Sequence, residues 1–366
     1  MSDDGTRKSR LFRAELGSIS CDDIEQIVVI GSWPNSSFSY YLEPQFEHLP
    51  AASIRLLNRY LAPHTVPDDA PSCYQRNPET GALNTRTIVV INRYVKGSML
   101  RWVENNRRHI AALVYFTDDD MAAMARDKSV PLIKKQQPLK TIAHWRKLMS
   151  TVDCVVASTK ELAGRIEHPN KIILPPVLHP MPAQNGRSDP NHVAYLAKMH
   201  KAEHAFLQPI IEKCMAEHDQ MRFSVIAEGQ SERAWRRIAR RIGPDRLHVV
   251  GPQTLNGYFR FLQSLDAGIS LAPLEDTPLN RARSATKRYD AVRLGAAGLF
   301  ADLTPYTGYG HQTGEIYLPA RPDDWQEAIS VLMSDRKQWE FTRNASRVLA
   351  LTTLAGLPKL FPNQSA

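Results

Sequence analysis

Residues 271–298 read LAPLEDTPLNRARSATKRYDAVRLGAAG. The first letter closes an apolar run, Ala267–Leu271 (AGISL), which has the length and composition of a buried strand. A polar loop with Pro273 and Pro278 follows, and Ser284 then stands where a hydroxyl caps a helix over Ser284–Leu294. Leu299–Ala301 begins the next strand. Strand, loop, helix and strand in so short a span make a βαβ unit, the building block of a parallel sheet. Lys287 falls in the first turn of the helix, where unpaired N–H groups and the helix dipole already favour an anion. An ordinary capped helix with a solvated lysine has the same letters, so the surroundings must decide.

Outward from this unit the alternation continues in both directions. Towards the N-terminus lie strands at Gln26–Ile30, Thr87–Ile91, Ala111–Phe116, Cys154–Ala157 and Ile172–Leu174. Helical stretches fall at Ser98–Arg108, at Thr141–Met149 and from Lys160. The segment 179–191 (HPMPAQNGRSDPN) has no periodicity and is rich in Pro, Asn, Gly and Ser, so it reads as a linker. Beyond it come strands His192–Leu196, Arg222–Ala227 and His248–Val250, with helices at Ala205–Met215, Glu232–Ile242 and Leu255–Gln263. Trp325–Met333 and Arg336–Ala350 close the pattern. The expected organisation is a polar tail (1–20), a domain over 21–180, a linker (181–191), a second domain over 192–345, and a tail (346–366) that returns to the first domain. Both domains are doubly wound and Rossmann-like, and the expected arrangement has them facing a cleft.

The order from Asp266 to Gly295, D-x-G-I-S-L-A-P-L followed by N-x-A-R-S-x-x-K-x-x-D-x-x-x-x-G, resembles the donor-site signature of GT-B glycosyltransferases related to family 4. The likeness extends through Asp302–Tyr306 to Gly314 and Trp325, and more loosely to Ser36–Pro44, Tyr115–Met121 and Asp153–Ala163. The resemblance implies the GT-B fold, a nucleotide-sugar co-substrate bound by the C-terminal half, no cofactor and no metal. It departs from the pattern at three places. Ala282 stands at the first Glu of the usual E-x7-E pair, Asp290 at the second, and Leu42 at an Arg. The anomeric outcome therefore stays open.

Carried over residue by residue, the resemblance sets Asp290 beside the ribose or sugar of the donor, and Lys198 and Lys201 on its diphosphate. A cation there offsets the charge that grows on a leaving nucleoside diphosphate. Ser284 and Lys287 complete the anion site, and the Gln253–Thr254 loop is placed at the nucleobase. Asp118, Asp119 and Asp120 end a strand, where ligands of open α/β sheets collect. Asp118 and Asp119 read as a general base or an acceptor anchor, since neighbouring carboxylates raise one another's pKa. Hard oxygen ligands also suit Mg²⁺ or Mn²⁺, and a helix N-cap is the plain structural account for at least one of the three. Ser37, Ser39 and Tyr40, with Asp120, fall on the acceptor side.

The 366 residues suffice for two domains, and the 43% hydrophobic and 23% charged composition belongs to a folded globular chain. Four scattered cysteines form neither a metal motif nor a disulfide framework. There is no apolar leader and no run long enough to span a bilayer, so a cytoplasmic location is expected, with contact at the inner face of the membrane. The net charge of +8 favours anionic partners. Two basic stretches stand out: ERAWRRIARRI at 232–242, whose arginines lie opposite Trp235, Ile238 and Ile242, and the run from Lys134 to Lys147. No P-loop, GxGxxG or nucleic-acid motif is present. The leading expectation is sugar transfer to a glycan, lipid-linked or other glycoconjugate acceptor in surface polysaccharide synthesis. The alternatives are a catalytically silent GT-B scaffold and a glycosyltransferase that modifies nucleic acid.

Overall fold

The computed structural model describes residues 26–31, 36–46, 54–58, 87–128, 130–178, 188–197, 200–308, 314–356 and 360. The chain forms two compact units. Unit 1 comprises Met1–Pro176, Ala282–Ser284 and Leu357–Ala366; unit 2 comprises Val177–Arg281 and Ala285–Gly356.

Unit 1 is built on six parallel strands: β1 (Gln26–Gly31), β2 (Ile54–Asn58), β3 (Thr87–Asn92), β4 (Ile110–Thr117), β5 (Cys154–Ala157) and β6 (Lys171–Ile173). Their order in the sheet is β2-β1-β3-β4-β5-β6. Both β3 and β5 are buried along their whole length, which is why they read as unbroken apolar runs and not as alternating ones. A π-helical turn (Phe38–Leu42) leads into α1 (Glu43–Phe46). The other helices are α2 (Gly97–Asn105), α3 (Met121–Arg126), α4 (Leu132–Ala143), α5 (Trp145–Thr151) and α6 (Lys160–Gly164). The core gathers Val28, Val89, Leu113, Val155 and Leu162, and it includes Ala282. The backbone N–H of Leu360 donates to Gln45 Oε1 at 2.7 Å, so the far end of the chain also belongs to this unit.

Unit 2 repeats the plan with β7 (Asp189–Tyr195), β8 (Arg222–Ile226), β9 (Leu247–Val250), β10 (Ala267–Ala272), β11 (Ala297–Ala301) and β12 (Ile316–Leu318). All pairings are parallel, in the order β12-β11-β10-β7-β8-β9. This is the Rossmann order, with its reversal between β7 and β10. Its helices are α7 (Lys201–Glu217), α8 (Gly229–Ile242), α9 (Leu255–Ser264), α10 (Pro278–Arg281), α11 (Thr286–Leu294), α12 (Thr304–Thr307), α13 (Pro322–Ser334) and α14 (Arg336–Ala355). Trp235, Trp325 and Trp339 are fully buried and fill the core against Phe223, Ile211 and Leu299. At the amino ends of the strands, Asp266 binds His192 at 2.5 Å and Arg222 at 2.8 Å, and Arg222 also holds Asp189.

The structure departs from the sequence reading at several points. Strand β7 begins at Asp189, inside the stretch read as linker, and most of the rest of 181–191 lies outside the described residues. Strands β2 and β12 were not expected, and α4 and α5 replace the single helix placed over 141–149. Helix α11 starts at Thr286 with Ala285 at its N-cap position and no side-chain cap. Ser284 is therefore not the cap; its hydroxyl hydrogen-bonds the Tyr41 hydroxyl within unit 1.

Candidate functional site

Each sheet reverses its winding direction once, and such a reversal opens a crevice at the carboxyl ends of the strands. In unit 2 the crevice lies between β7 and β10. Lys287, the second residue of α11, donates from Nζ to the Leu196 carbonyl at 2.6 Å, to Asp290 Oδ2 at 2.8 Å and to the Tyr258 hydroxyl at 3.3 Å. Leu196 is the residue after β7, so this lysine ties α11 to the mouth of the crevice. Its side chain keeps 32% of its surface exposed, while that of Asp290 keeps 4%. The i, i+3 spacing read from the sequence thus brings the pair together on one face of the helix.

A cavity of about 220 Å³ opens at the carboxyl ends of β10, β11 and β12. Phe206 and Trp325 form its aromatic wall, ring edge to face with centroids 5.9 Å apart. Glu203, in the first turn of α7, is buried and accepts from His200 Nδ1 and from the Glu275 backbone N–H, both at 3.2 Å. Burial opposes ionisation of this carboxyl, but the hydrogen bonds from His200 and the Glu275 N–H prevail and hold its pKa below the ordinary glutamate value. Glu275, Asp276 and Asp302 also line the cavity, so its polar groups accept hydrogen bonds as sugar hydroxyls would offer them.

The other donor-side expectations fall around this edge. Lys201 is the exposed first residue of α7. Thr254 caps α9, its Oγ1 accepting from Gly257 N at 3.1 Å, and exposed Gln253 donates to the Gly251 carbonyl at 3.0 Å. Both side chains are engaged in loop geometry, and both follow the edge strand β9. Lys198 lies outside the described residues.

In unit 1 the reversal lies between β1 and β3, and a guanidinium unmarked in the sequence reading occupies it. Arg93 directly follows β3 and adopts φ 67°, a left-handed conformation costly for a residue with a Cβ. It is the only non-glycine residue with positive φ among the described residues. The backbone fixes it there: its N–H donates to the Phe116 carbonyl at 2.8 Å, and its carbonyl accepts from the Tyr115 hydroxyl at 2.7 Å. The side chain then meets Ser37 Oγ at 2.8 Å, Asp118 at 3.1 Å and Asp119 in a short ion pair. Ser37 donates in turn to Asp118 at 2.6 Å, and Arg283 stands 3.6 Å from Asp119. Burial pushes the Asp118 carboxyl upward, Arg93 opposes this, and Asp119 adds to it.

Asp118 and Asp119 are therefore balanced by guanidinium groups. Among the described residues, no three His, Cys, Asp or Glu converge as a metal site. Asp120 is the N-cap of α3: its Oδ1 accepts from Ala123 N at 2.8 Å, and its Oδ2 pairs with Arg165 at 3.0 Å. The helix-cap account holds for this residue. Ser37 and Tyr40 are buried and Ser39 is half-buried in the π-helical turn. Ala282, where the resemblance expects Glu, is fully enclosed in the core of unit 1, and its carbonyl accepts from Thr159 Oγ1 at 2.8 Å. A carboxylate there would be buried without a partner.

No protein-family model matches the sequence, and no curated protein matches it. Solved structures do. HepE (Alr3699) of Anabaena, crystallised with UDP and glucose, superposes with a TM-score of 0.60 at 8% identity, covering 89% of this chain and 95% of that one. WaaG, a glycosyltransferase involved in lipopolysaccharide biosynthesis, gives a TM-score of 0.57 at 12% identity, covering 91% and 97%. TarM gives 0.53 at 11% identity over 75% of this chain and 54% of its own, so the protein spans about half the length of TarM. The fold is that of the GT-B glycosyltransferases. At these identities the likeness is one of GT-B architecture.

Proposed function

We propose that this GT-B protein is a glycosyltransferase that takes a sugar from a nucleoside-diphosphate donor held by unit 2 and passes it to a glycan, lipid-linked or other glycoconjugate acceptor. The observation that carries the reading is the site at the β7/β10 reversal, where Lys287 reaches the mouth of the crevice; the cavity at the carboxyl ends of β10, β11 and β12 in the same unit is mainly apolar, with Glu203, Glu275, Asp276 and Asp302 among its lining residues. An ammonium group has three protons. Two are well spent on Leu196 and Asp290, while the third faces Tyr258 at a long 3.3 Å. That is the proton a phosphoryl oxygen takes on binding, and the charge then stabilises the departing diphosphate. Asp290, buried beside it, keeps the lysine aimed and meets a donor hydroxyl. The Gln253–Thr254 loop, two strands across from β7, lies roughly 10 Å away by strand spacing, a suitable span from phosphate to base. HepE, with its UDP and glucose, supports a uracil nucleotide as the first donor to try. The acceptor belongs to surface polysaccharide synthesis in this reading, and the transfer runs without a metal.

The test is a thermal-shift panel of nucleoside diphosphates and nucleotide sugars on the full chain, followed by sugar release assayed in EDTA. A ligand at ~100 times its Kd adds about 2.7 kcal/mol of stability, or roughly 5–10 °C for a unit of this size. Release that continues in EDTA is expected. A panel in which no nucleotide moves the melting point and no sugar is released overturns the proposal; release that needs added Mn²⁺ overturns its metal-free part.

A further inference from the structure

The two basic stretches of the sequence prove unlike in the structure. Helix α8 spends its apolar side on its own unit: Trp235 and Ile238 are buried in the core, and Arg233, Arg236, Arg237, Arg240 and Arg241 face outward. No apolar surface is left there to enter a bilayer. Helix α4 is the reverse. The residues it turns inward are Pro138 and Thr141, and Thr141 Oγ1 accepts from the Val95 backbone N–H at 3.0 Å. Its large apolar side chains point away from the protein: Leu132 is 82% exposed, Ile133 72% and Leu139 52%. Leu132, Gln136, Leu139 and Ala143 recur at helical spacing and form one outward stripe.

Lysines frame this stripe. Lys140 lies on the flank shared with Ile133, and half-buried Lys135 lies on the other. From Arg126 to Lys147 the chain carries seven Lys and Arg residues against one carboxylate, Asp127. Of the seven, Arg126, Lys128, Lys134, Lys140, Arg146 and Lys147 are exposed, and Lys147 pairs with Glu104 at 2.7 Å. An outward apolar stripe bordered by cations is the pattern of a helix that lies in a membrane interface, with aliphatic groups below the headgroups and ammonium groups among the phosphates. A protein partner would need matching acidic and apolar surface; an anionic bilayer supplies both layers everywhere.

We propose that α4 is the membrane-docking element of this protein, seating unit 1 on anionic phospholipid through Leu132, Ile133 and Leu139 with Lys135 and Lys140 at the phosphates. The proposal names the seat and the lipid charge, and it stands on the helix alone, whichever reaction the protein performs. Cosedimentation of the full chain with vesicles of phosphatidylcholine containing 30% phosphatidylglycerol tests it. The parent should pellet with these vesicles and stay in solution with pure phosphatidylcholine. Leu132→Ser combined with Ile133→Ser should weaken partitioning at least tenfold, about 1.4 kcal/mol. Lys135→Gln with Lys140→Gln should weaken it by a similar factor at low salt and by less at high salt. All these side chains lie on the surface, so the melting temperature should hold, and release of sugar from a soluble nucleotide donor should be unchanged. A parent that ignores anionic vesicles, or a serine variant that binds them as the parent does, overturns the assignment. So does a serine variant that turns a dimer into a monomer without a change in vesicle binding, since the stripe would then be a contact between copies.

Discussion

Replacing Arg93 separates two consequences of its position. The side chain balances Asp118 and Asp119, whose side chains retain only 15% and 13% of their surface. Arg93→Ala leaves both carboxylates facing each other without their main cation, and breaking a buried pair by removing one partner costs about 3–5 kcal/mol. The cost should depend on pH with a definite sign. Burial and Asp119 already raise the Asp118 pKa while Arg93 opposes the rise, so the variant raises it further. A carboxyl whose folded pKa lies above its unfolded value binds more protons in the native state, and stability falls as pH rises through that window. The variant should therefore lie furthest below the parent near pH 8. It should recover towards pH 5 by up to about 1.4 kcal/mol per pH unit. The backbone gives the second consequence. At φ 67° an alanine keeps the left-handed strain of about 1–2 kcal/mol, whereas glycine has none. Arg93→Gly should thus be more stable than Arg93→Ala by about 1 kcal/mol, the reverse of the usual order. Urea unfolding of the three proteins at pH 5 and pH 8 measures both effects. A loss under about 1 kcal/mol at pH 8, an equal loss at both pH values, or an alanine variant firmer than the glycine one would refute the reasoning.

Lys287→Ala should weaken binding of a nucleoside diphosphate by roughly ten- to a hundredfold, for a charge-assisted contact of ~1.5–3 kcal/mol, measured by calorimetry. Asp290→Asn preserves shape and should cost less affinity than Asp290→Ala. If both alanine variants bind like the parent and only melt earlier, the pair is structural. Glu315 is fully buried and receives Arg288 through two contacts at 2.7 and 2.9 Å, the Tyr317 hydroxyl at 2.5 Å and the Ser346 hydroxyl at 2.8 Å. Glu315→Gln should lower stability by about 3–5 kcal/mol, read by thermal unfolding, with an unchanged midpoint counting against a charged role. Gly268→Ala would drive a Cβ into the backbone of Asp189 where β10 meets β7. It should cost about 1–3 kcal/mol or more, and a protein that melts like the parent would show that the two strands can part there.

The buried parallel strands were legible because nothing but apolar letters suits a strand covered on both faces. TIVVI at 87–91 and CVVA at 154–157 became β3 and β5 almost to the residue. Edge strands announce less: β2 carries Arg55 and Asn58, and β12 is three residues long. Helix α4 escaped because its apolar residues face outward and two prolines, Pro131 and Pro138, bracket its first half. In the site, the Lys287–Asp290 pairing followed from i, i+3 spacing, and the strand-ending position of Asp118 and Asp119 marked the right edge of unit 1. Arg93 was missed although it is the first residue after a clear strand, the place where such sheets keep functional groups. His200 and Glu203 were passed over because their meeting with the Glu275 backbone joins residues more than seventy positions apart. Ser284 was misread because a hydroxyl before a helix resembles a cap until the tertiary partner, Tyr41, is known.

The interrupted sequence of unit 1 has a consequence for how the protein is made. Its first stretch ends at Pro176, yet Ala282 in its core and Leu360 against Gln45 come later, the last 184 positions further along (360 − 176). At ribosomal rates of about 5–20 residues per second, the interval from Pro176 to Leu360 is on the order of ten to forty seconds. Through that interval the nascent N-terminal half carries its sheet without the pieces that complete it. The unit that starts folding first is therefore the one that finishes last. A ribosome stalled anywhere within unit 2 leaves two incomplete bodies, where a protein with contiguous domains would leave one finished and one not.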